Sequence, residues 1–304
     1  MNVIKLLKKH PIKQVLKNIY LKNRANRWSK KYKTGSYRSI EPPKDYKVVF
    51  EDNFKKFDDT KWRMSQTWGE YHPNHLDQYY DTTGELLKIT NEGVSLGIKR
   101  KPKTFYKKDN PELSKNPNIP DEFEIPVCVS LINTKEGWQW GWFESWIKLP
   151  KGQHFWPAFW LSGLNHWPPE IDIFEGYSDV GPNYDDYSIF GRFFKKPYQK
   201  IQPNLHYGNV EKGTYDYWGA HNIPVAEATE RFVQWVCHWE KDFIRIYWDG
   251  ILIFESTDKK VLENYNGSTD QMHIILNHGL NYKNNGHPDG NPMIVRSVKV
   301  FQKK

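Results

Sequence analysis

HFWPAFWLSGLNHWPPEIDIFEGYS, residues 154–178, carries three acids, Glu170, Asp172 and Glu175, inside an otherwise apolar strand-like run. In a strand, side chains two apart share a face, so Glu170 and Asp172 project one way while Ile171 and Ile173 project the other. Strict alternation would place Phe174 beside the acids and send Glu175 into the core, where a lone carboxylate is very costly. One extra residue near Ile173–Phe174, a β-bulge, restores the register, and bulges are over-represented next to active sites. The spacing therefore predicts three carboxylates along one face of one strand. Upstream, Trp156, Ala158 and Trp160 share a face, with the small alanine leaving a gap between two indoles.

The sequence around this stretch has the same β character. YKVVFEDNF, VSLGIKR, GWFESWIKL, FVQWVCHWE, FIRIYWDGILIFES, MHIILN and MIVRSVKVF are short runs of β-branched and aromatic residues bounded by Gly, Pro, Asn and Asp. Asp-Gly between two apolar runs in YWDGILIF is a hairpin signal. So many short strands from Tyr46 onward predict a two-sheet sandwich, all-β, with no internal repeat. Residues 101–126, with five prolines, read as a long loop.

Composition excludes several classes. The chain has 304 residues, 38% of them hydrophobic and 26% charged, which is enough apolar material for a core. Two cysteines, Cys128 and Cys237, exclude a disulfide scaffold and a four-thiolate zinc site, and read as free buried thiols. The net charge of +8 is unevenly spread: residues 1–44 hold thirteen Lys or Arg against Glu41 alone, and the rest is mildly acidic. A nucleic-acid-binding body would show a basic stripe, so none is expected here.

Residues 1–45 read as a basic arm and linker, and 46–304 as the main domain. Ile12, Val15, Leu16 and Ile19 fall at helical spacing among lysines, with Pro11 at the first turn. Such a helix suits docking on an anionic membrane or on a partner protein or particle; a solvated tail, or a helix folded onto its own body, fits the pattern equally. Lysines interrupt every apolar run of MNVIKLLKKHP, so no secretory signal is expected. An extracellular substrate would then be reached by lysis or by attachment to a particle.

Crowded carboxylates cannot all ionise cheaply, and the pKa of at least one must rise. An acid held protonated beside an ionised carboxylate is what glycoside hydrolysis requires. The outer pair lies roughly 13 Å apart at Cα by strand rise, whereas a retaining mechanism wants carboxyl groups about 5–5.5 Å apart, so the side chains must converge over a curved sheet. Trp142, Glu144 and Trp146 of WFESWIKL also share a face and read as a second aromatic platform for sugar, or as a second hydrophobic layer. His72 and His75 of HPNH lack a further ligand signature and read as cleft rim.

At this point EIDIFE, preceded by LPKGQHFWPAFWL, resembles the active-site strand of glycoside hydrolase family sixteen, the laminarinase, lichenase, agarase and carrageenase group. VFEDNF with DDTKW, GWFESWIKLPKG, FVQWVCHWEKDFIRIYWDG and SVKVFQ extend the resemblance over nearly all of 46–302. It implies a concanavalin-like β-sandwich (jelly roll) and an endo-acting, retaining β-glycan hydrolase. Glu170 would be nucleophile, Glu175 general acid/base and Asp172 the group tuning the nucleophile. Trp142, Trp156, Trp160, His206 and Asn277 would contact substrate. Trp146 stands where relatives carry arginine, Pro169 where they carry glycine, and Arg296–Ser297 where many carry a calcium-binding aspartate. No cofactor is therefore expected, and the family's calcium is in doubt. A transglycosylase and a non-catalytic lectin-like module are the alternatives. The substrate stays open between β-1,3- or mixed-linkage glucan and galactan, and Lys101, Lys103, Lys107 and Lys108 offer a local basic rim for sulfated chains.

Overall fold

The computed structural model describes residues 9–31, 39–66, 69–72, 75–110, 113, 117–151, 155–177, 199–219, 223–225, 227–267, 271–280 and 291–304. The first eight residues of the arm, 73–74 of the His-Pro-Asn-His motif, Pro111 of the proline-rich segment and 152–154 before the acidic strand lie outside them.

Strands are numbered in chain order. One eight-stranded antiparallel sheet, the cleft sheet, runs β13 (Asp216–Gly219), β12 (Gln199–Tyr207), β11 (Glu170–Tyr177), β10 (Phe155–Gly163), β18 (Met272–Leu280), β8 (Leu131–Thr134) and β2 (Trp62–Arg63), with β14 (Ile223–Val225) also paired to β12. The back sheet runs β17 (Ile251–Ser256), β16 (Phe243–Trp248), β15 (Val233–Glu240), β9 (Gly141–Lys148), β19 (Met293–Lys303), β5 (Gly93–Leu96) and β4 (Leu87–Thr90), with β1 (Tyr46–Asp52) added to β19. A smaller sheet joins β3 (Gln78–Tyr80), β7 (Glu122–Val129) and β6 (Ile98–Tyr106). Alternation in each strand sends one set of side chains into a single core between the large sheets. Phe159, Ile171, Ile173 and Phe174 enter from one side, and Phe143, Trp235, Cys237 and Trp239 from the other. Both cysteines are free and buried. The all-β sandwich is as the strand runs imply.

Local signals explain several joints. Asp249 and Gly250 of the Asp-Gly turn both adopt positive φ, 45° and 74°, the backbone a two-residue hairpin needs. Residues 101–126 are not one long loop: β6 and β7 pair from Ile98↔Val129 to Tyr106↔Glu122. The prolines misled because Pro102 falls inside the register shift between Arg100 and Lys103, opposite Pro126 in β7, where neither residue's missing N–H interrupts the ladder. Arg296 likewise falls at a register shift in β19, and its guanidinium lies 3.7 Å from the Phe232 ring centroid.

The basic arm contains helix α1 (Ile12–Lys31), and it is folded onto the body. Val15, Leu21 and Ala25 are buried, Ala25 within the main core. The polar residues on the same side are the more telling. β17 is an edge strand, and its backbone groups would otherwise lack partners. The Asn18 side chain donates to Glu255 O (2.9 Å) and accepts from Glu255 N (3.0 Å), while Gln14 donates to Glu255 O (2.7 Å) and accepts from Thr257 N (2.9 Å). Two side-chain amides thus act as the missing neighbouring strand. The start of the arm is held at the cleft sheet, where His10 stacks on Trp218 (4.1 Å) and contacts Asp258 (3.1 Å), and Lys9 pairs with Asp216 (2.6 Å). No described helix is long and apolar enough to cross a membrane.

Candidate active site

β11 pairs with β10 as Ser162↔Glu170, Trp160↔Asp172, Phe159↔Phe174 and Ala158↔Glu175, so Ile173 is the residue the ladder skips. On its other side β11 pairs with β12 as Glu170↔His206, Asp172↔Asn204 and Glu175↔Gln202, with the same irregularity. Ile171, Ile173 and Phe174 are fully buried in the core, and the three acids line the cleft on the opposite face. The cost of burying Glu175 alone is what the bulge avoids.

Glu170 and Glu175 both accept N–H bonds. Glu170 accepts from Trp167 Nε1 at 2.8 Å. His206 Nε2 lies 3.5 Å from Glu170 and 3.3 Å from Asp172. Glu175 accepts from Trp156 Nε1 (3.0 Å), Gln202 Nε2 (3.3 Å) and Asn204 Nδ2 (2.5 Å). The fully buried Tyr265 brings its hydroxyl to the carbonyls of Glu170 (3.0 Å) and His206 (2.8 Å), which fixes the two strands at the site. Burial, and then the charge of Asp172, pushes Glu170 well above the ordinary carboxylate range. Burial, and then the charge of Glu175, does the same to Asp172, and burial raises Glu175 against the opposing pull of its donors. Burial and mutual repulsion therefore favour a proton retained within the cluster over three separate charges. Ligand atoms of Glu170, Asp172 and His206 lie within 4.8 Å of one another, close enough to hold a cation.

The structure brings most of the expected contact residues to this cleft. Trp156, Trp160 and Asn277 line it, with Ala158 between the indoles, and Trp160 Nε1 donates to Asn277 Oδ1 at 2.8 Å. His72 and His75 form its rim, and burial, then the neighbouring His75, lowers His72 to about 4, so it is neutral at ordinary pH. Trp142 is a correction. It belongs to β9 of the back sheet, is only 3% exposed, and stacks near His238 and Tyr247. Its indole and that of Trp146 both donate to buried Glu144, whose other donor, Gln234, is bonded in turn to the backbone of Ile40. The linker thus covers this face, and it forms a second packed layer instead of a sugar platform. Sequence reasoning missed Trp167, Gln202, Asn204, Tyr215 and Tyr265. The polar alternation Gln202, Asn204, His206 in β12 was a signal for two of them.

Residues 77–290 match the profile described as Glycosyl hydrolases family 16. The chain belongs to that family. A glucan endo-1,3-beta-glucosidase from Cryptopygus antarcticus is 48% identical over 50 residues, 14% of this chain and 18% of that protein, so the match spans under a fifth of its length. A non-specific endo-beta-1,3(4)-glucanase of the family superposes with a TM-score of 0.63 at 21% identity, covering 88% of this chain and 95% of that one. A structure described with endo-acting O-glycanases of the human gut microbiota gives 0.65 at 21% identity, covering 88% and 94%. At these identities the superpositions establish the jelly-roll fold.

Proposed function

We propose that this family-16 chain is an endo-acting, retaining hydrolase of a neutral β-1,3- or mixed-linkage glucan, cutting by double displacement. The observation that carries the reading is the bulged strand, which sets Glu170, Asp172 and Glu175 together in one open cleft lined by indoles. Glu170, whose carboxylate form Trp167 and His206 favour against the burial that raises its pKa, attacks the anomeric carbon. Glu175, its proton favoured by burial, protonates the departing oxygen as the glycosidic bond breaks. Water then gives a proton back to Glu175 and displaces Glu170, so configuration is retained. Asp172, raised by burial and then by the charge of Glu175, lies between them and tempers the charge on Glu170. The local match to a 1,3-glucanase supports the linkage. A neutral chain is supported by the absence of Lys and Arg among the described cleft-lining residues. The basic rim is also neutralised in part, with Lys101 paired to Glu85 and Lys103 to Glu70. Purified protein should release reducing ends from laminarin or mixed-linkage glucan. It should release few from agarose, carrageenan or mucin O-glycans, and the reverse ranking overturns the substrate assignment. Oligosaccharide products longer than the added chains, formed in the presence of an acceptor sugar, would mark a transglycosylase. Binding without any cleavage would mark a lectin-like module.

We propose further that residues 46–304 form the glycan-cleaving unit and that the outward side of α1 docks on an anionic lipid surface. Ile12, Leu16 and Tyr20 follow one another at i, i+4, i+8 and stay 60%, 55% and 55% exposed, away from the docked face. Lys13 lies beside them, in a segment of thirteen basic residues and one acid, a charge that complements anionic headgroups. The protein should co-sediment with phosphatidylglycerol-containing vesicles at low salt and be released by high salt or by Leu16→Glu. Absence of binding at low salt, or equal binding to purely zwitterionic vesicles, refutes the lipid assignment.

A further inference from the structure

His206 holds its ring nearly parallel to those of Tyr215 (6.0 Å, 14° between planes) and Tyr217 (5.9 Å, 24°), with Trp167 6.0 Å away. Its carbonyl accepts from Tyr265. The two ring nitrogens then face opposite demands. Nε2 lies 3.3 Å from Asp172 Oδ2 and 3.5 Å from Glu170 Oε1, and among the described residues that buried Asp172 oxygen has no hydrogen-bond partner. Nδ1 lies 2.8 Å from the Tyr215 hydroxyl.

A neutral imidazole satisfies both ends in only one tautomer. A proton on Nε2 faces two carboxylate oxygens, which are acceptors, and leaves an Nδ1 lone pair for the tyrosine O–H. The opposite tautomer would aim the Nε2 lone pair at both carboxylates. Tyr215 has a hydroxyl proton to give at any working pH, because burial, and then the charge of Glu170, pushes its ionisation up to about 12. We infer that Tyr215 is a positioning residue of this site, its hydroxyl donating to His206 Nδ1 and so locking the Nε2–H tautomer that faces Glu170 and Asp172.

The chain is built to hold that hydroxyl in place. His206 pairs with Tyr217 across the β12–β13 hairpin, whose turn precedes Tyr215. At Gly208 φ is 91°, and a Cβ there would lie 2.2 Å from Thr214 O, so the turn closes tightly only with glycine. Thr214 N donates to Asn209 O (2.9 Å), and Asn264 accepts from Gly208 N (3.1 Å). Asp216, the next residue after Tyr215, is the one that Lys9 of the arm engages.

The inference concerns the same site as the proposed hydrolysis, but its central test needs no substrate. Full-length protein labelled with ¹⁵N-histidine, with the His206 signals assigned through His206→Gln, reports which ring nitrogen carries the proton. The wild type should show a protonated Nε2 and a bare Nδ1. Tyr215→Phe, which keeps the ring, should move both shifts toward an averaged, mixed-tautomer position with an unchanged melting temperature. On a cleaved glucan its kcat should fall about 3- to 10-fold, the worth of one neutral hydrogen bond, with KM nearly unchanged. A protonated Nδ1 in the wild type, or shifts indifferent to Tyr215→Phe, overturns the inference. The expected shifts in a protein that cleaves no glycan would support the tautomer lock while sinking the hydrolase reading.

Discussion

Glu170→Gln and Glu175→Gln should each lower turnover of a soluble β-glucan by about 10³-fold or more, while leaving the protein folded and able to hold the polysaccharide. In the proposed mechanism each carboxylate has a separate task, so neither amide can substitute for it. The amide at 170 cannot attack, and the amide at 175 has no acidic proton to give. Stability should move the other way. Both carboxyls have folded-state pKa values raised, with burial as the largest cause. The folded protein therefore binds these protons more tightly than the unfolded chain. The stability this contributes is complete below the unfolded value of about 4.3 and is lost as pH rises through the folded value. A neutral glutamine removes that loss. Glu170→Gln in particular should melt at the same temperature as the wild type or higher, with the difference growing from acidic to neutral pH. Asp172→Asn should slow turnover less than either, because it alters the charge beside the nucleophile without removing a reacting group. Measuring kcat, glycan retention and melting curves on the same preparations checks all of this. Near wild-type rates in either glutamine variant would end the assignment of roles.

How much of this was legible beforehand depended on whether the physics was local. The bulge was readable because one strand contained its own contradiction: alternation demanded a buried Glu175, burial forbade it, and a skipped residue was the cheapest resolution. The β12 polar row had the same local period, and only its short length concealed Gln202 and Asn204. Trp142 could not be placed in this way. WFESWIKL and FWPAFWL both alternate aromatic and other residues, and nothing in either says which outward face stays open to solvent. That is decided by Ile40 of the linker, bonded to Gln234 on the neighbouring strand. Trp167, Tyr215 and Tyr265 reach Glu170 and His206 from three separate connections, so no spacing within one run could announce them. The arm shows a further limit. Its helical spacing was plain and left docking, a solvated tail and packing on the body equally open, and the fold divides its apolar residues between the last of these and an outward face. Val15 and Leu21 turn inward with Gln14 and Asn18, while Ile12 and Leu16 stay outside. The amides at 14 and 18 carry no hydrophobic signal, and their value appears only once an unpaired strand edge is known to lie beneath them.

Removing residues 1–31 should therefore destabilise the domain strongly, although the sequence, with its own opening strand at β1, suggests a body indifferent to its arm. Burial of Val15 and Leu21 is worth about 3–5 kcal/mol together, and the amide bonds to the edge of β17 add about 1 kcal/mol each. For a domain of this size every kcal/mol moves the midpoint by about 2–4 °C, so truncation should lower it by roughly 10 °C or more. The exposed edge of β17 should also make the truncated protein prone to self-association, since unpaired strand backbone is a template for another chain. Gln14→Ala with Asn18→Ala separates edge pairing from hydrophobic burial, and should cost about half of the full effect. Glu255 gives the arm a pH dependence. Burial alone would raise its pKa, but Lys17 and Arg245 outweigh burial and hold it below the ordinary range. Its contribution is accordingly present above the unfolded pKa and is lost as pH falls through the folded one. The gap between full-length and truncated melting temperatures should narrow in acid. Activity follows the same anchor, since Lys9 and His10 hold Asp216 and Trp218 in the strand that carries Tyr217 against His206. A truncated protein with an unchanged midpoint and unchanged kcat would show that α1 is a passenger on the sandwich.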